Sequence, residues 1–437
     1  MKLEEDGLVR SIGVWGLTAN IVNVIVGAGI FVLPAIVAAN MGKTGILAYL
    51  FCGFLITLVM LCFAEAGSKV NNSGGGYTYI ETAFGKFPGF IFGFIYLLGT
   101  FTADGAVANA LIGVLGAVAP IFKNEYVRIL SLFIIFFGLA GINILGIKQG
   151  IGVVKLLTIT KLTPLLLLVI IGWKDVSGAN LYWNEFPTWE SFGATCLILF
   201  FAFQGAEIGL TVGGEILNPK RTIPRAVILS IVVVLIFYIL IQTVSQGVMG
   251  SSLADYPDNP LAETGKVVFG PIGYMLLFMG AAISMLGFMS GELLNNPRLV
   301  FALGRDRVVP ITLLTRIHKR FRTPYVAILI YATIGFCISI FGGFKELAII
   351  ATGAVLLLYV GVSLSVIKLR RGYISERGEF KIPGGLTVPI LSLIICLYFL
   401  SNLSRNEMLI TFLYLVVLSL IYFVIQYFEK KKLRSSH

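Results

Sequence analysis

About twelve apolar runs, each long enough to cross the roughly 30 Å of hydrocarbon in a bilayer, follow one another along the chain with short polar breaks between them. They lie at about 14–39, 45–66, 88–118, 127–146, 151–173, 192–215, 225–249, 267–302, 324–342, 346–367, 386–403 and 408–428. In hydrocarbon a backbone N–H or C=O has no water to turn to, which restricts each run to helix. The expected fold is therefore an all-α polytopic membrane protein of about twelve transmembrane helices. No loop is long enough for a soluble domain, so residues 1–437 read as one membrane domain. Composition agrees: 57% of residues are hydrophobic and 13% charged, against about 45–50% and about 25% in soluble proteins.

The first run begins near Val14 and is too long for a cleaved signal peptide. All five cysteines (Cys52, Cys62, Cys196, Cys337, Cys396) fall in apolar runs and read as small core residues rather than disulfides. The net charge of +11 does not point to nucleic acid, because the basic residues are scattered through short loops. Twelve crossings put both termini on one side. Lys and Arg gather on that side, above all in "GRDRVVPITLLTRIHKRFRTP" and "EKKKLRSSH". The positive-inside rule makes the termini cytoplasmic and places the chain in the cell (inner) membrane.

Two runs are interrupted. "IVNVIVGAGIFVLP" (21–34) carries Gly27, Ala28, Gly29 and Pro34, although a helix loses about 1 kcal/mol per Gly and about 3 per Pro relative to Ala. "LILFFAFQGAEIGLTVGGEI" carries Gln204, Gly205 and Glu207 in mid-run. Both interruptions read Gly-Ala-x-Ile and stand five runs apart. An odd number of spans per repeat inverts the second copy, so the pattern suggests a five-plus-five inverted repeat (14–173 and 192–367) followed by two extra helices (386–428). Matching interruptions of this kind point to a transporter's substrate site. The other reading is close helix packing through small residues.

The motifs "VGAGIF.LP", "AEAGSKVNNSGGGYTYIETAFG", "GAEIG...GGEILNPKRTIPRAV" and "NNPRLVFALGRDRVVP...RFRTPYVAIL" occur in that order. Together they resemble the amino acid–polyamine–organocation superfamily of permeases over residues 12 to 370. One departure is "VNNSGGGY", where many relatives carry Pro before Ser-Gly-Gly. The resemblance implies ten helices in an inverted repeat, with the first and sixth broken, and alternating-access transport of amino acids or related amines.

By the same resemblance, the turn from Val26 to Gly29 exposes N–H groups at a half-helix N-terminus, which suit a substrate carboxylate. Carbonyls at Ile25, Phe201 and Gln204, beside Gly205, would accept the ammonium. Phe201 holds the family's aromatic gate position, where its ring would stack on the substrate and exclude water; otherwise it is an ordinary lipid-facing Phe. Glu207 is an ionisable group at bilayer depth, costly unless paired or protonated and so functional by default. It reads either as coupling substrate to gate or as a neutral acid holding the broken helix. Lys161, in "VVKLLTITKLTPLLLLVIIG", lies about 9 Å deeper than Lys155 by helical rise, so Lys155 is the better snorkelling candidate. The resemblance places the Lys161 ammonium near the first break, in the space a sodium ion takes in distant relatives, with proton coupling left open.

Asp104 in "TFTADGAVANAL" and Glu292 in "MLGFMSGELLNN" are two further deep acids, expected by resemblance to face the substrate's side chain. Two acids there favour a cationic amino acid or diamine; a neutral amino acid is the alternative if the acids are paired or protonated. Glu65, Glu81 and Glu215 fall at span ends and read as helix-end ion pairs. His318 and His437 both fall in polar segments, so no histidine catalysis or His-ligated metal is expected within the membrane. No phosphate loop occurs. The sequence therefore reads as a secondary amino acid transporter, not an enzyme, with no cofactor and no metal. Its partners are a small-molecule substrate (an amino acid or amine), the lipid bilayer and, if it is a proton-coupled symporter rather than an exchanger, protons, with no nucleic acid. A channel or a membrane-embedded enzyme is the reading from another class.

Overall fold

The computed structural model describes residues 13–70, 75–145, 147–183, 186–210, 216–305, 309, 311–321, 323–372 and 379–435. Among them every regular element is helical and no strand occurs. The first apolar run is a pair, α1 (Val14–Ile25) and α2 (Gly29–Met41), bent by 50° at the break. Then come α3 (Ile46–Lys69), a short α4 (Gly76–Phe84), α5 (Lys86–Val118), α6 (Glu125–Leu145) and α7 (Ile147–Gly172). The sixth run holds α8 (Trp189–Leu199) and an irregular turn; α9 (Pro219–Met249) follows. The remainder is α10 (Pro260–Phe269), α11 (Pro271–Asn295), α12 (Pro297–Arg305), α13 (Tyr325–Phe341), α14 (Phe344–Gly372), α15 (Thr387–Ser401) and α16 (Arg405–Ser435). Each of the twelve apolar runs carries helix, and the protein is a multi-pass membrane protein.

Two boundaries differ from the sequence reading for a local reason. The run at 267–302 is not one helix, because Pro271 and Pro297 each start a new one. Proline suits that first position, where its missing N–H has no helical partner anyway. Pro219 and Pro260 start α9 and α10 in the same way. Thr188 caps α8 by accepting from the Ser191 N–H at 3.2 Å.

Helices in lipid gain little from hydrophobic association and are held by close packing and internal polar bonds. The centre is the contact of α5 with α14, while α16 lies almost wholly outside it. One end is tied by charge. Glu65, fully buried in α3, accepts from both arms of the Arg370 guanidinium in α14, from Lys69 Nζ at 3.1 Å and from the Ile382 N–H at 2.9 Å. That is the helix-end pairing expected of Glu65, extended to the segment leading into α15. Glu81 is half-buried; Glu215 and the Lys155 side chain lie outside the described residues. Four of the cysteines are buried, all five are free, and Cys337 is exposed on α13.

Candidate functional site

The two breaks meet in the middle of the bundle. At the first, α1 ends at Ile25, Val26 takes φ −75° and ψ 82°, and α2 starts at Gly29. The Gly27 N–H turns back to the Ile25 carbonyl at 2.8 Å. The N–H groups of Ala28, Gly29 and Ile30 have no acceptor among the described residues. Three free donors at the N-terminus of a helix make a site for an anionic group.

At the second break, α8 passes through a tight turn at Phe200–Phe203 and opens at Gln204. Gly205 has φ +104°, a conformation that needs glycine. A Cβ there would also sit 2.9 Å from Val24 Cγ1, so the turn lies directly on α1. Glu207 closes it: its two carboxylate oxygens accept from the Gly205 N–H at 3.3 and 3.2 Å, and Oε2 also accepts from the Tyr359 hydroxyl at 2.7 Å. The Gln204 side-chain amide donates to Thr352 Oγ1 at 2.8 Å. Both ties run to α14.

Lys161, on α7, is fully buried and its ammonium donates to the carbonyls of Asn23 at 2.7 Å and Val26 at 2.8 Å. Ser284, on α11, reaches the Val26 and Gly27 carbonyls at 3.2 and 3.3 Å. The carbonyls freed on the α1 side of the break are thus held by an ammonium and a hydroxyl. Tyr238, on α9, is also fully buried, and its hydroxyl lies 3.0 Å from both the Ile25 and the Ala202 carbonyls.

Between the breaks is a small cavity. Ile25, Gly27, Ala28, Gly29, Phe201, Gln204, Gly205, Glu207 and Glu292 are on its wall, with Tyr96, Thr100 and Phe288. It encloses about 30 Å³, on a scale where one water needs about 10–15 Å³. An amino acid does not fit without the walls moving apart. Phe201 meets Phe344, the first residue of α14, edge to face at 5.8 Å between ring centroids.

Two of the residues singled out in the sequence stand off the cavity wall. Val26 is not on the cavity wall; it turns its carbonyl to Lys161 and Ser284. Asp104 is not on it either. On α5 the wall positions are 96, 99, 100, 103 and 107, one helical stripe. Position 104 falls at its edge, where Asp104 Oδ2 accepts from Tyr331 of α13 at 2.8 Å. Glu292 is on the wall, and its Oε2 accepts from the Asn296 amide, which also donates to the Tyr331 hydroxyl at 3.0 Å. The two acids therefore belong to one buried network, but only Glu292 faces the cavity.

Tyr238, Ser284, Thr352, Tyr359, Asn296 and Tyr331 escaped the sequence reading. A tyrosine or serine inside an apolar run does carry a signal, because its hydroxyl must find a partner in hydrocarbon. Among the described residues no group of three or more His, Cys, Asp or Glu is placed to hold a metal.

Comparison with known proteins puts this geometry in context. The profile of the amino acid permease family matches residues 12–429. The chain is 29% identical over 405 residues to the serine/threonine exchanger SteT of Bacillus subtilis (strain 168), an alignment covering 90% of this chain and 91% of that protein. It is 26% identical over 438 residues to the branched-chain amino acid permease BcaP of the same organism, covering 96% and 94%. A mouse (Mus musculus) protein, the b(0,+)-type amino acid transporter 1, is 26% identical over 447 residues, covering 98% and 90%.

Proposed function

The chain belongs to the amino acid permease family, and from that premise we propose that it exchanges amino acids across the cell membrane by alternating access, without sodium. The observation that carries this reading is the first break: Ala28 and Gly29, whose N–H groups are free, are on the wall of a cavity, with the free N–H of Ile30 next along α2, while Lys161 holds the carbonyls behind them. The substrate carboxylate binds those amides. Its ammonium goes to the carbonyl side, at Ile25 and at Phe201 or Gln204. Phe201 parts from Phe344 to admit it. The two breaks are equivalent points of an inverted repeat, 14–173 and 192–367, with 386–428 appended and both termini cytoplasmic.

With Asp104 off the wall, the case for a cationic substrate rests on Glu292 alone. One carboxylate favours a side chain that offers a donor, either a cation as in arginine, lysine and ornithine or a hydroxyl as in serine and threonine. The second choice is supported by the similarity to a serine/threonine exchanger. Proteoliposomes loaded with an amino acid mixture, competed from outside by arginine, lysine, ornithine, serine, threonine, alanine and leucine, decide between them. Donor-bearing substrates are expected to compete best, and Glu292→Gln is expected to weaken them about tenfold while alanine and leucine change little, the loss of one hydrogen bond to a charged group being about 1.5 kcal/mol. If leucine competes as well as any of them, the assignment of Glu292 is wrong.

Glu207 couples occupancy to the gate in this reading, with a proton as the coupling ion. Glu207→Gln keeps the shape but cannot titrate, so the pH profile of transport is expected to flatten. A variant slowed by the same factor at every pH would leave Glu207 only its part in closing the turn at Gly205.

A further inference from the structure

A second cavity lies away from the two breaks, where α2 turns into α3. With twelve crossings, that end of the bundle is opposite the termini. The cavity encloses about 230 Å³, more than the roughly 150 Å³ that accommodates a benzene. Its walls are the link between α2 and α3, the last two turns of α9 and the segment that follows α7. That segment is fastened down as a roof. The Ser177 N–H and the Asn180 side-chain amide donate to the Gly247 carbonyl at 3.0 and 2.9 Å, and Lys43 Nζ donates to the Ala179 carbonyl at 2.8 Å.

Gln242 and Gln246, one turn apart on α9, are both on the wall and both buried. Gln242 lies about 10 Å inside the end of the helix by helical rise. Gln246 Nε2 donates to the Gly250 carbonyl at 3.0 Å. Gln246 Oε1 and both amide atoms of Gln242 have no hydrogen-bond partner among the described residues. Unpaired polar atoms at this depth are costly, which favours a guest that pairs them. That guest offers an acceptor to the Gln242 N–H groups and donors to two carbonyl oxygens. Lys43, exposed on the same wall, adds a positive charge and has three N–H groups, of which one goes to Ala179. An anionic acceptor therefore fits best.

The cavity continues into the lipid face of the bundle. Ile46 and Thr243, both on its wall and partly buried, head two rows of side chains. Below Ile46 on α3 are Leu50 and Phe54, and below Thr243 on α9 are Ile236 and Val232, all four exposed. As the second and seventh runs, α3 and α9 are antiparallel, and they pack closely where Gly53 meets Leu235. Counting about 100° per residue from that contact puts both rows on the same side of the seam, as one apolar groove. Trp183, on the cavity wall, and Tyr182 beside it are exposed, as aromatic residues at headgroup level are.

We propose that this cavity binds the headgroup of a phospholipid from the leaflet opposite the termini. The phosphate meets Lys43 and the Gln242 N–H groups. The headgroup's own N–H or O–H donors meet the carbonyl oxygens of Gln242 and Gln246, and an acyl chain lies in the groove between α3 and α9. The site needs only the multi-pass fold, and it stands whether or not amino acids are the substrate.

The full-length protein, delipidated in detergent, is titrated with dioleoyl phosphatidylethanolamine, phosphatidylglycerol and phosphatidylcholine and followed by native mass spectrometry. The first two headgroups carry N–H or O–H donors and the third has none. They are expected to bind about fivefold more tightly, the weight of one ordinary hydrogen bond. Gln242→Leu is expected to remove most of that difference, and Lys43→Gln to weaken all three lipids alike. No preference in the unmodified protein, or an undiminished one in Gln242→Leu, overturns the proposal. Hydrogen exchange of the unmodified protein keeps the test decisive if a variant does not fold. Phosphatidylethanolamine is expected to slow exchange in peptides covering residues 173–183 and 240–250. Glycerophosphoethanolamine, the same headgroup without acyl chains, is run beside it, with free serine and leucine. Equal protection by any of these soluble compounds overturns the lipid assignment. No protection by the lipid overturns the site itself and leaves the cavity to water.

Discussion

Lys161→Ala is expected to abolish transport while leaving the protein folded in the membrane. The ammonium makes its two hydrogen bonds to the carbonyls of Asn23 and Val26. Both lie at a break whose backbone has no helical partner on that side. Truncation leaves the Asn23 carbonyl without its side-chain donor and the Val26 carbonyl with Ser284 alone, at about 1–3 kcal/mol for a group left unsatisfied in a dry interior. A change of about 3 kcal/mol alters a conformational equilibrium more than a hundredfold, enough to stall a cycle that must pass through every state. The bundle has many other ties, among them the Glu65–Arg370 pairing at its end, so a normal size-exclusion profile is expected alongside the lost activity. The unmodified protein is expected to transport at equal initial rates in sodium and choline media. A strict sodium requirement would show that Lys161 does not stand in for a cation.

The breaks were legible because their signal is local. Glycines and a proline in an apolar run, or a glutamate in another, are anomalies before any fold is known. The depth of Lys161 was legible by counting residues along one helix. Which way a deep residue faces was not. Asp104 and Glu292 look alike as acids in apolar runs, yet one turns to Tyr331 and the other to the cavity. The difference is helical phase against neighbours whose positions a single chain does not declare. Tyr238 was harder still, since its acceptor at Ile25 is 213 residues away; until α9 is placed against α1, it reads as one more apolar side chain in "VVVLIFYILI".

Gly27 and Gly29 look interchangeable in "VGAGI", and the structure separates them. A Cβ on Gly27 would lie 3.2 Å from Phe288 Cδ2, the edge of a side chain that can give way. A Cβ on Gly29 would lie 2.7 Å from both Cα and Cβ of Ala202, which is the backbone of the second break. Neither glycine has a positive φ, so the difference between them is one of contact. Gly27→Ala is expected to keep most of its transport. Gly29→Ala must push α2 away from the second break, and overpacking of this kind costs about 1–3 kcal/mol. That displacement also carries off the free N–H groups at 28–30 and separates the carbonyls that Tyr238 bridges. Transport is expected to fall more than about tenfold, and Gly138→Ala, at a site with nothing within 4 Å of the added methyl, is expected to leave it unchanged. The double variant Gly29→Ala/Ala202→Gly tests the cause. It removes only the Ala202 methyl while its Cα stays 2.7 Å from the new Cβ, so little recovery is expected. Full recovery would mean that the two breaks touch through side chains and can slide, rather than meeting backbone to backbone as a single unit.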